Sequence, residues 1–170
     1  MNTLQVENLL RSDCKLATIF DGVFASDRLP SLCDSKTAMV VNIDPYNSPG
    51  SHWVCMYIEN GKGEFFDSYG EYPYVHSFIN FLNRNCKSWT FNRVDLQAID
   101  SDVCGHYCIH FLSERARGKS MEEIVAQFSV NNKNKNDAGV KEMVETRFGR
   151  IADSFLNDGS QCQCCIKRRR

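Results

Sequence analysis

Hydrophobic residues recur along the first part of the chain at spacings typical first of a helix and then of strands. Leucine and valine side chains lie at roughly helical spacing within residues 2–13, which predicts a short opening helix. Residues 22–30 are rich in turn formers and predict a connector, whereas the apolar, β-branched run 37–43 predicts a buried strand. Two prolines and a glycine in residues 44–51 predict that a loop follows this strand.

A β-hairpin is the strongest local prediction of the sequence. Asn60 and Gly61 stand between the apolar runs 53–59 and 64–69. Asn-Gly accepts the positive φ angles that a two-residue hairpin turn requires, so the two runs are expected to pair as antiparallel strands.

The rest of the chain alternates amphipathic and polar segments. The predicted elements are a helix over 74–85, a strand over 89–96, a helix over 104–117 closed by Gly118, a helix from a capping box at Ser120 and Glu123 to about Phe128, a polar linker over 131–137 and a final helix over 138–156. This order predicts an α+β fold with a mixed sheet and helices packed around it.

Composition limits the class of protein. The chain has 170 residues, of which 42% are hydrophobic and 24% charged, enough for one core; we expect a single domain over 1–156 and a Cys-rich basic tail over 157–170. No apolar run is long enough to span a bilayer and no signal-peptide pattern opens the sequence, which predicts a protein that is not secreted. Nine cysteines without such a signal favour reduced thiols over a disulfide framework.

The charge is unevenly distributed. The formal net charge is −1, yet the last four residues, KRRR, carry +4, so the others sum to −5. A uniformly basic nucleic-acid-binding surface is therefore not supported, although the tail could contact a phosphate backbone or serve as a nuclear address.

The hairpin also places a histidine close to a carboxylate. With a two-residue turn, His52 lies opposite Tyr69, and Asp67 lies on the same face, two residues from Tyr69. Diagonal neighbours of this kind are about 7–8 Å apart, within reach of an imidazole–carboxylate hydrogen bond. Such a pair orients a catalytic imidazole. The alternative is that His52 is an ordinary loop residue and Asp67 an ordinary turn former, because the pair alone is a weak motif.

A cysteine at the start of a predicted helix makes the catalytic interpretation of His52 and Asp67 stronger than the alternative. Cys104 follows the N-cap candidates of the segment DSD and precedes Gly105, which lets another chain approach the backbone closely. The helix N-terminus and a nearby imidazolium both lower a thiol pKa, which is the environment of a nucleophile. Gln97, expected at the end of a strand, could place its amide beside the backbone N–H of Cys104 and form an oxyanion hole.

A metal site is the competing interpretation of the same stretch. Residues 101–112 contain four side chains that commonly bind metals: Cys104, His106, Cys108 and His110. The cysteine pair and the histidine pair point about 200° apart on a helix, so they cannot share one ion. The apolar residues from 108 to 112 are better explained as core, and the two histidines as polar or half-buried helix residues.

Four candidate residues thus occur in the order His52, Asp67, Gln97 and Cys104, and Trp53 directly follows the histidine. This order resembles that of the adenovirus protease (adenain) family and its wider clan, which includes the SUMO-type ubiquitin-like-protein proteases. The resemblance extends roughly over residues 4–148. It implies an adenain-like, papain-like cysteine peptidase fold.

The resemblance also implies a role for each residue. Cys104 would be the nucleophile, His52 the general base and acid, and Asp67 the residue that orients it. Gln97 would donate to the oxyanion, and Trp53 would wall a narrow substrate channel. Adenoviral enzymes typically carry Glu at the acidic position, whereas Asp is typical of the SUMO-protease branch, which suggests an adenovirus-related or Polinton-like element as the source.

The same resemblance implies cleavage after small residues in Gly-Gly or Gly-x-Gly segments, with viral capsid and core precursors as substrates during maturation. Ubiquitin-like proteins form a second substrate class, which would make the protein a deubiquitinase or deSUMOylase. Two alternatives of other classes are an acetyltransferase and a non-catalytic module that binds Gly-Gly tails or nucleic acid.

The chemistry requires no cofactor, but members of the family are stimulated by DNA and by a basic peptide that contains a cysteine. The tail combines Cys162, Cys164 and Cys165 with a basic block, so it could act as a built-in activator; a solvated tail or nuclear signal is the simpler interpretation. We expect a monomer in the host nucleus or cytoplasm and in the virion.

Overall fold

The computed structural model describes residues 1–149, which form a five-stranded mixed sheet flanked by helices. The elements in chain order are α1 (Thr3–Ser12), β1 (Phe20–Ala25), β2 (Lys36–Asn42), β3 (Trp53–Glu59), β4 (Lys62–Phe66), α2 (His76–Asn85), β5 (Ser88–Phe91), α3 (Cys104–Arg115), α4 (Met121–Val125) and α5 (Lys133–Phe148). The predicted α+β class and central mixed sheet are confirmed. None of the helices described is both long and apolar enough to cross a bilayer.

The sheet has the strand order β1-β2-β3-β4-β5. Its outer pairs, β1 with β2 and β4 with β5, are parallel, and its inner pairs are antiparallel. The central strands β2 and β3 are buried along nearly their whole length, because helices cover both faces of the sheet.

Two hydrophobic cores lie on opposite faces of this sheet. Alternate side chains of β2 and β3, such as Val40 and Cys55, face α1, α3, α4 and α5. The intervening side chains, such as Met39 and Met56, face α2. Helix α3 is buried along its length except for Arg115, since it lies in the middle of the larger core. The first turn of α3 is therefore held rigidly against the sheet.

The predicted hairpin is confirmed. Asn60 and Gly61 form the two-residue turn, with φ angles of 53° and 78°, and Glu59 pairs with Lys62. Strand β3 begins one residue after His52, and β4 ends one residue before Asp67. The turn thus places the start of β3 and the end of β4 side by side, at the same end of the sheet.

One strand was missed by the sequence analysis. The predicted connector 22–30 overlaps β1, whose hydrogen-bonded residues Phe20–Ala25 form one edge of the sheet. The strand is only half-buried and its register shifts between Phe20 and Gly22. Edge strands of this kind lack the continuous apolar pattern of a central strand.

The predicted linker over 131–137 is wrong. Helix α5 begins at Lys133, and the side chain of Asn132 caps it by accepting a hydrogen bond from the backbone N–H of Lys135. Asn136 and Asp137 are buried in this first turn. The two residues are hydrogen-bonded to groups far away in the sequence. A buried polar pair of this kind gives no local hydrophobic pattern from which the start of the helix could be predicted. Helix α5 ends at Phe148, and the predicted helical residues 150–156 lie outside the described residues.

Other boundaries differ by smaller amounts. Strand β5 ends at Phe91, well before the predicted residue 96, and α4 ends at Val125. The capping box of Ser120 and Glu123 is present, and Gly118 has the predicted left-handed conformation, with a φ of 93°. Its amide follows the last turn of α3, where it donates to the carbonyl of Arg115.

Candidate active site

A histidine and an aspartate meet at one end of the inner strands β3 and β4, opposite the hairpin turn. Nε2 of His52 lies 2.8 Å from Oδ1 of Asp67, and their side chains are only 13% and 6% exposed. Burial shields this contact from water, so the carboxylate fixes the orientation of the imidazole. Nδ1 is left as the ring nitrogen available to another partner.

The Asp67 backbone is held in turn by Asn92, a residue that the sequence analysis missed. The backbone N–H of Asp67 donates to Oδ1 of Asn92 at 2.8 Å, and Nδ2 of Asn92 donates to the Asp67 carbonyl at 2.6 Å. The backbone N–H of Tyr69 also donates to Asp67 Oδ1, at 2.9 Å. Asn92 follows β5 and lies 25 residues from Asp67, a separation that carries no local signal.

Cys104 is the first residue of α3 and is 7% exposed. The N-cap is Val103, which makes no side-chain cap hydrogen bond, so the expectation that the segment DSD supplies a capping side chain is wrong. An N-terminus without a side-chain cap leaves backbone N–H groups of the first turn directed toward the site.

The Cys104 thiol and the His52 imidazole shift each other's pKa in opposite directions. Burial raises the pKa of Cys104, but hydrogen bonds from His52 and from the backbone N–H groups of Trp53 and Gly105 outweigh it, so the pKa lies below the usual value. Burial opposes protonation of His52, yet hydrogen bonds to Asp67 and Cys104 raise the pKa of His52 to about 10. Both shifts favour the form of the pair in which the cysteine is a thiolate and the histidine an imidazolium.

Gln97 lies in the loop between β5 and α3 rather than at the end of a strand, as the sequence analysis expected. Its Oε1 accepts a hydrogen bond from the hydroxyl of Ser68 at 2.7 Å. Its Nε2 donates to the carbonyl of Ser101 at 2.8 Å and to the hydroxyl of Tyr69 at 3.2 Å. Both polar atoms of the Gln97 side chain are therefore held by hydrogen bonds.

The loop that carries Gln97 is anchored by the first turn of α5. Asp137 accepts hydrogen bonds from the backbone N–H of Ala98, at 3.2 Å, and from the hydroxyl of Tyr107, at 2.9 Å. Nδ2 of Asn136 donates to the carbonyl of Leu96 at 3.0 Å. The residues on either side of Gln97 are thus held by the segment that the sequence analysis treated as a linker.

His52, Gln97 and Cys104 line a cavity of about 220 Å³. Gly50, Ser51 and Trp53 belong to its lining, as do Tyr69 and Gly105. A Cβ atom at Gly105 would lie 3.6–3.7 Å from its nearest neighbours, among them the ring of Trp53. These are ordinary contact distances, so Gly105 keeps the cavity open rather than relieving a clash within the protein.

The two histidines of α3 are buried, not half-buried as predicted. Among residues 1–149, Nδ1 of His106 has no hydrogen-bond partner, whereas Nε2 of His110 lies 3.0 Å from Oε1 of Gln127. Within residues 1–149, no group of three or more His, Cys, Asp or Glu side chains is arranged to hold a metal ion. Cys108 is buried, in agreement with its predicted place in the core. The predictions for Cys162, Cys164, Cys165 and the basic tail fall outside the described residues.

No family model matches the chain. A protein of Acanthamoeba polyphaga mimivirus named "Putative thiol protease R355" is 31% identical over 100 residues, which covers 52% of this chain and 33% of that protein. The chain thus spans about a third of the length of this relative.

Among solved structures, the crystal structure of the ASFV pS273R protease matches 61% of this chain and 43% of its own, with a TM-score of 0.46 and 18% identity.

Proposed function

We propose that the chain is a cysteine protease in which Cys104 is the nucleophile. The observation that carries the proposal is the buried contact chain at the start of α3: the Cys104 thiol interacts with His52, and His52 is held by Asp67 at 2.8 Å. The name of the mimivirus relative, a thiol protease, supports the same reaction class.

The geometry suggests how peptide hydrolysis would proceed. The Cys104 thiolate attacks the carbonyl carbon of the scissile bond, and the π electrons move to the oxygen, which becomes an oxyanion. The His52 imidazolium then gives its proton to the leaving amine. Water, deprotonated by His52, hydrolyses the resulting thioester. Asp67 stabilises the imidazolium throughout. The side chain of Gln97 and the backbone N–H groups at the N-terminus of α3 stabilise the oxyanion.

We propose substrates that are proteins with small residues at the cleavage site, of the Gly-Gly or Gly-x-Gly type. Two features favour them: the cavity of about 220 Å³ is small, and the ring of Trp53 lies against the open backbone at Gly105. Viral capsid and core precursors are the proposed class, with the adenain-like proteases as the proposed family. Ubiquitin-like proteins are the second candidate.

The remaining expectations stay proposals: one domain over 1–156, a monomer, action in the host nucleus or cytoplasm and in the virion, and no cofactor for the chemistry. Activation by DNA or by a basic Cys-containing peptide, including the protein's own tail, belongs with them. Comparing proteolysis by the full chain and a variant lacking 161–170, with and without DNA, tests the tail.

Thiol reactivity tests the central proposal without knowledge of the substrate. The full chain is pulsed with iodoacetamide at pH 7 and labelling of each cysteine is measured by mass spectrometry. We expect Cys104 to react much faster than Cys108, whose pKa burial raises well above the usual value. His52→Ala should abolish the advantage of Cys104, whereas His76→Ala, at an exposed helix position, should not. Equal reactivity of all thiols would refute the proposal.

Two activity-based probes then separate the substrate classes. A Leu-Ala-Gly-Gly vinyl sulfone that labels Cys104 alone indicates a protease that reads short segments, and labelling by ubiquitin or SUMO vinyl sulfone indicates a deconjugating enzyme. A stable acetyl group on Cys104 after incubation with acetyl-CoA would instead support an acetyltransferase.

A further inference from the structure

Ser68 is a buried serine that binds Gln97 at three points. It directly follows Asp67, and the residue is only 1% exposed. Its hydroxyl donates a hydrogen bond of 2.7 Å to Oε1 of Gln97. Its carbonyl accepts hydrogen bonds from the backbone N–H groups of Leu96, at 2.8 Å, and of Gln97, at 3.1 Å. Ser68 thus holds both the backbone and the side chain of Gln97.

Ser68 and Ser101 together fix the orientation of the Gln97 amide. The two ends of a primary amide differ in chemistry, since its nitrogen donates hydrogen bonds and its oxygen only accepts them. Nε2 of Gln97 donates to the carbonyl of Ser101 at 2.8 Å, while Oε1 accepts from the hydroxyl of Ser68. If the amide were turned over, its oxygen would face the carbonyl of Ser101, and two acceptors would meet. The observed orientation satisfies both ends.

An oxyanion needs the nitrogen end of this amide. Gln97 lines the same cavity as Cys104, and in the proposed reaction its N–H group donates to the developing oxyanion. The second hydrogen of Nε2 meets the hydroxyl of Tyr69 at the longer distance of 3.2 Å, so this hydrogen is the one that a substrate oxygen can take over. A donor helps most when its position is fixed before the charge develops, because no reorganisation is then required.

We propose that Ser68 is a positioning residue that holds the amide of Gln97 in the orientation from which it donates to the oxyanion. The assignment rests on the proposed protease function, and Ser68 acts through Gln97 rather than on the reacting atoms. Two consecutive residues then serve the two sides of the reaction. The carboxylate of Asp67 orients the base, His52, at 2.8 Å, and the hydroxyl of Ser68 orients the oxyanion donor.

The test compares two reactions of the full-length protein. Hydrolysis of acetyl-Leu-Ala-Gly-Gly aminomethylcoumarin passes through an oxyanion, whereas alkylation of Cys104 by iodoacetamide does not. Ser68→Ala removes the hydroxyl and keeps the backbone carbonyl. We expect kcat to fall about 30-fold, less than the roughly 100-fold loss typical for removal of an oxyanion donor itself. The KM, the alkylation rate and the pH midpoint of alkylation should stay close to those of wild type.

Ser77→Ala is the matched control. It also removes a serine hydroxyl with a short hydrogen bond, here to the carbonyl of Ser26 at 2.6 Å, but Ser77 lies on α2 and does not line the cavity of Cys104. Its kcat should equal that of wild type.

A double-variant cycle shows whether Ser68 acts through Gln97. Gln97→Ala alone should lower kcat about 100-fold. Adding Ser68→Ala to Gln97→Ala should lower kcat less than about twofold further, because the hydroxyl then has no amide to hold. Independent effects of the two substitutions, which multiply in the double variant, would overturn the assignment.

Two further outcomes would also overturn it. A Ser68→Ala enzyme with kcat close to that of wild type would mean that Gln97 keeps its orientation without the hydroxyl. A parallel loss in hydrolysis and alkylation would mean that the substitution disturbs the neighbouring Asp67 and, with it, the His52–Cys104 pair.

Failure of the proposed function has a different signature. Wild-type protein that neither cleaves the peptide nor alkylates Cys104 preferentially would refute the protease proposal itself, and this assignment with it. Wild-type protein that alkylates Cys104 preferentially but leaves the peptide uncut would refute the Gly-Gly substrate class alone. The same variants are then compared on 4-nitrophenyl acetate, a small ester whose attack by a thiolate also passes through an oxyanion.

Discussion

The Asp67 carboxylate accepts hydrogen bonds from two sides, from Nε2 of His52 and from the backbone N–H of Tyr69, and its own backbone is clamped by Asn92. This arrangement holds a negative charge in one place beneath the imidazole. The carboxylate is one of the groups that raise the pKa of His52, and His52 in turn lowers the pKa of Cys104, so removing it should change the titration of both groups.

We predict that Asp67→Asn moves the pH midpoint of Cys104 alkylation upward and lowers kcat about 100-fold or more. Without the carboxylate, the pKa of His52 falls and the imidazolium no longer stabilises the thiolate. The pH profile of iodoacetamide labelling measures the shift. Glu71→Gln, which removes an exposed negative charge from the following loop, should leave the profile unchanged.

His106 makes the fold sensitive to acid. Burial, Lys141 and the terminal amine lower the pKa of His106 to about 4, although Asp102 opposes the shift. Below pH 6.5 the unfolded chain takes up a proton that the folded protein does not accept until about pH 4. The free energy of unfolding should therefore decline as pH falls from about 6.5 to about 4, by roughly 3 kcal/mol.

Urea unfolding of wild type and His106→Leu across pH 4–7 checks this prediction. The variant should have a shallower slope, and the exposed substitution His76→Ala should keep the wild-type slope. Some slope will remain in His106→Leu because burial also lowers the pKa of His110. Identical slopes for wild type and His106→Leu would count against the assignment.

At the scale of elements, the first turn of α5 supports the site from outside it. Asp137 joins this turn to the loop of Gln97 and to Tyr107 on α3. Deleting its carboxylate leaves the N–H of Ala98 buried without its acceptor, whereas the hydroxyl of Tyr107 keeps a second acceptor, the carbonyl of Leu96 at 3.1 Å. Each unpaired group of this kind costs about 1–3 kcal/mol.

We predict that Asp137→Ala lowers kcat/KM for the Gly-Gly peptide more than tenfold while alkylation of Cys104 stays within about twofold of wild type. The reason is that the loop carrying Gln97 loosens, whereas the His52–Asp67 contact does not depend on α5. Asn132→Ala, which removes the cap of the same helix and should cost about 1 kcal/mol, is the matched control. A proportional loss in both reactions would argue for general misfolding.

The elements differ in how far sequence reveals them. The hairpin was predictable because Asn60 and Gly61 specify their turn locally, and that turn alone brings His52 and Asp67 to one end of the sheet. Strand β1 and the start of α5 could not be predicted, because contacts with residues distant in the sequence determine where they form. Asn92 and Asp137 contribute through contacts across 25 and 39 residues, which leave no periodic pattern behind.

At the scale of the whole molecule, a buried ionic cluster joins the ends of α3 and α5. Glu114 pairs with Lys119 and with Arg147, and its side chain is 6% exposed. Burial raises the pKa of Glu114, but these two partners outweigh it and lower the pKa to about 2. The stabilisation is thus present above pH 4.5 and is lost as pH falls toward 2.

We predict that Glu114→Gln lowers the free energy of unfolding by about 1–3 kcal/mol at pH 7, since two cations lose their partner. The difference from wild type should shrink at pH 3, and urea unfolding at both pH values measures it. Glu7→Gln breaks a more exposed pair with Arg11 and should cost less than about 0.5 kcal/mol at pH 7. Equal effects of the two substitutions would contradict the buried role of Glu114.

The anchoring of the Gln97 loop by Asp137 has a consequence for when the protein acquires activity. A ribosome delivers Cys104 and His52 well before it delivers Asp137, so a nascent chain holds the reacting groups without the clamp that orders their surroundings. On the proposed function, peptide cleavage should reach its full rate only after α5 has been synthesised and docked. Copies of the chain that lack α5 should cleave peptides slowly.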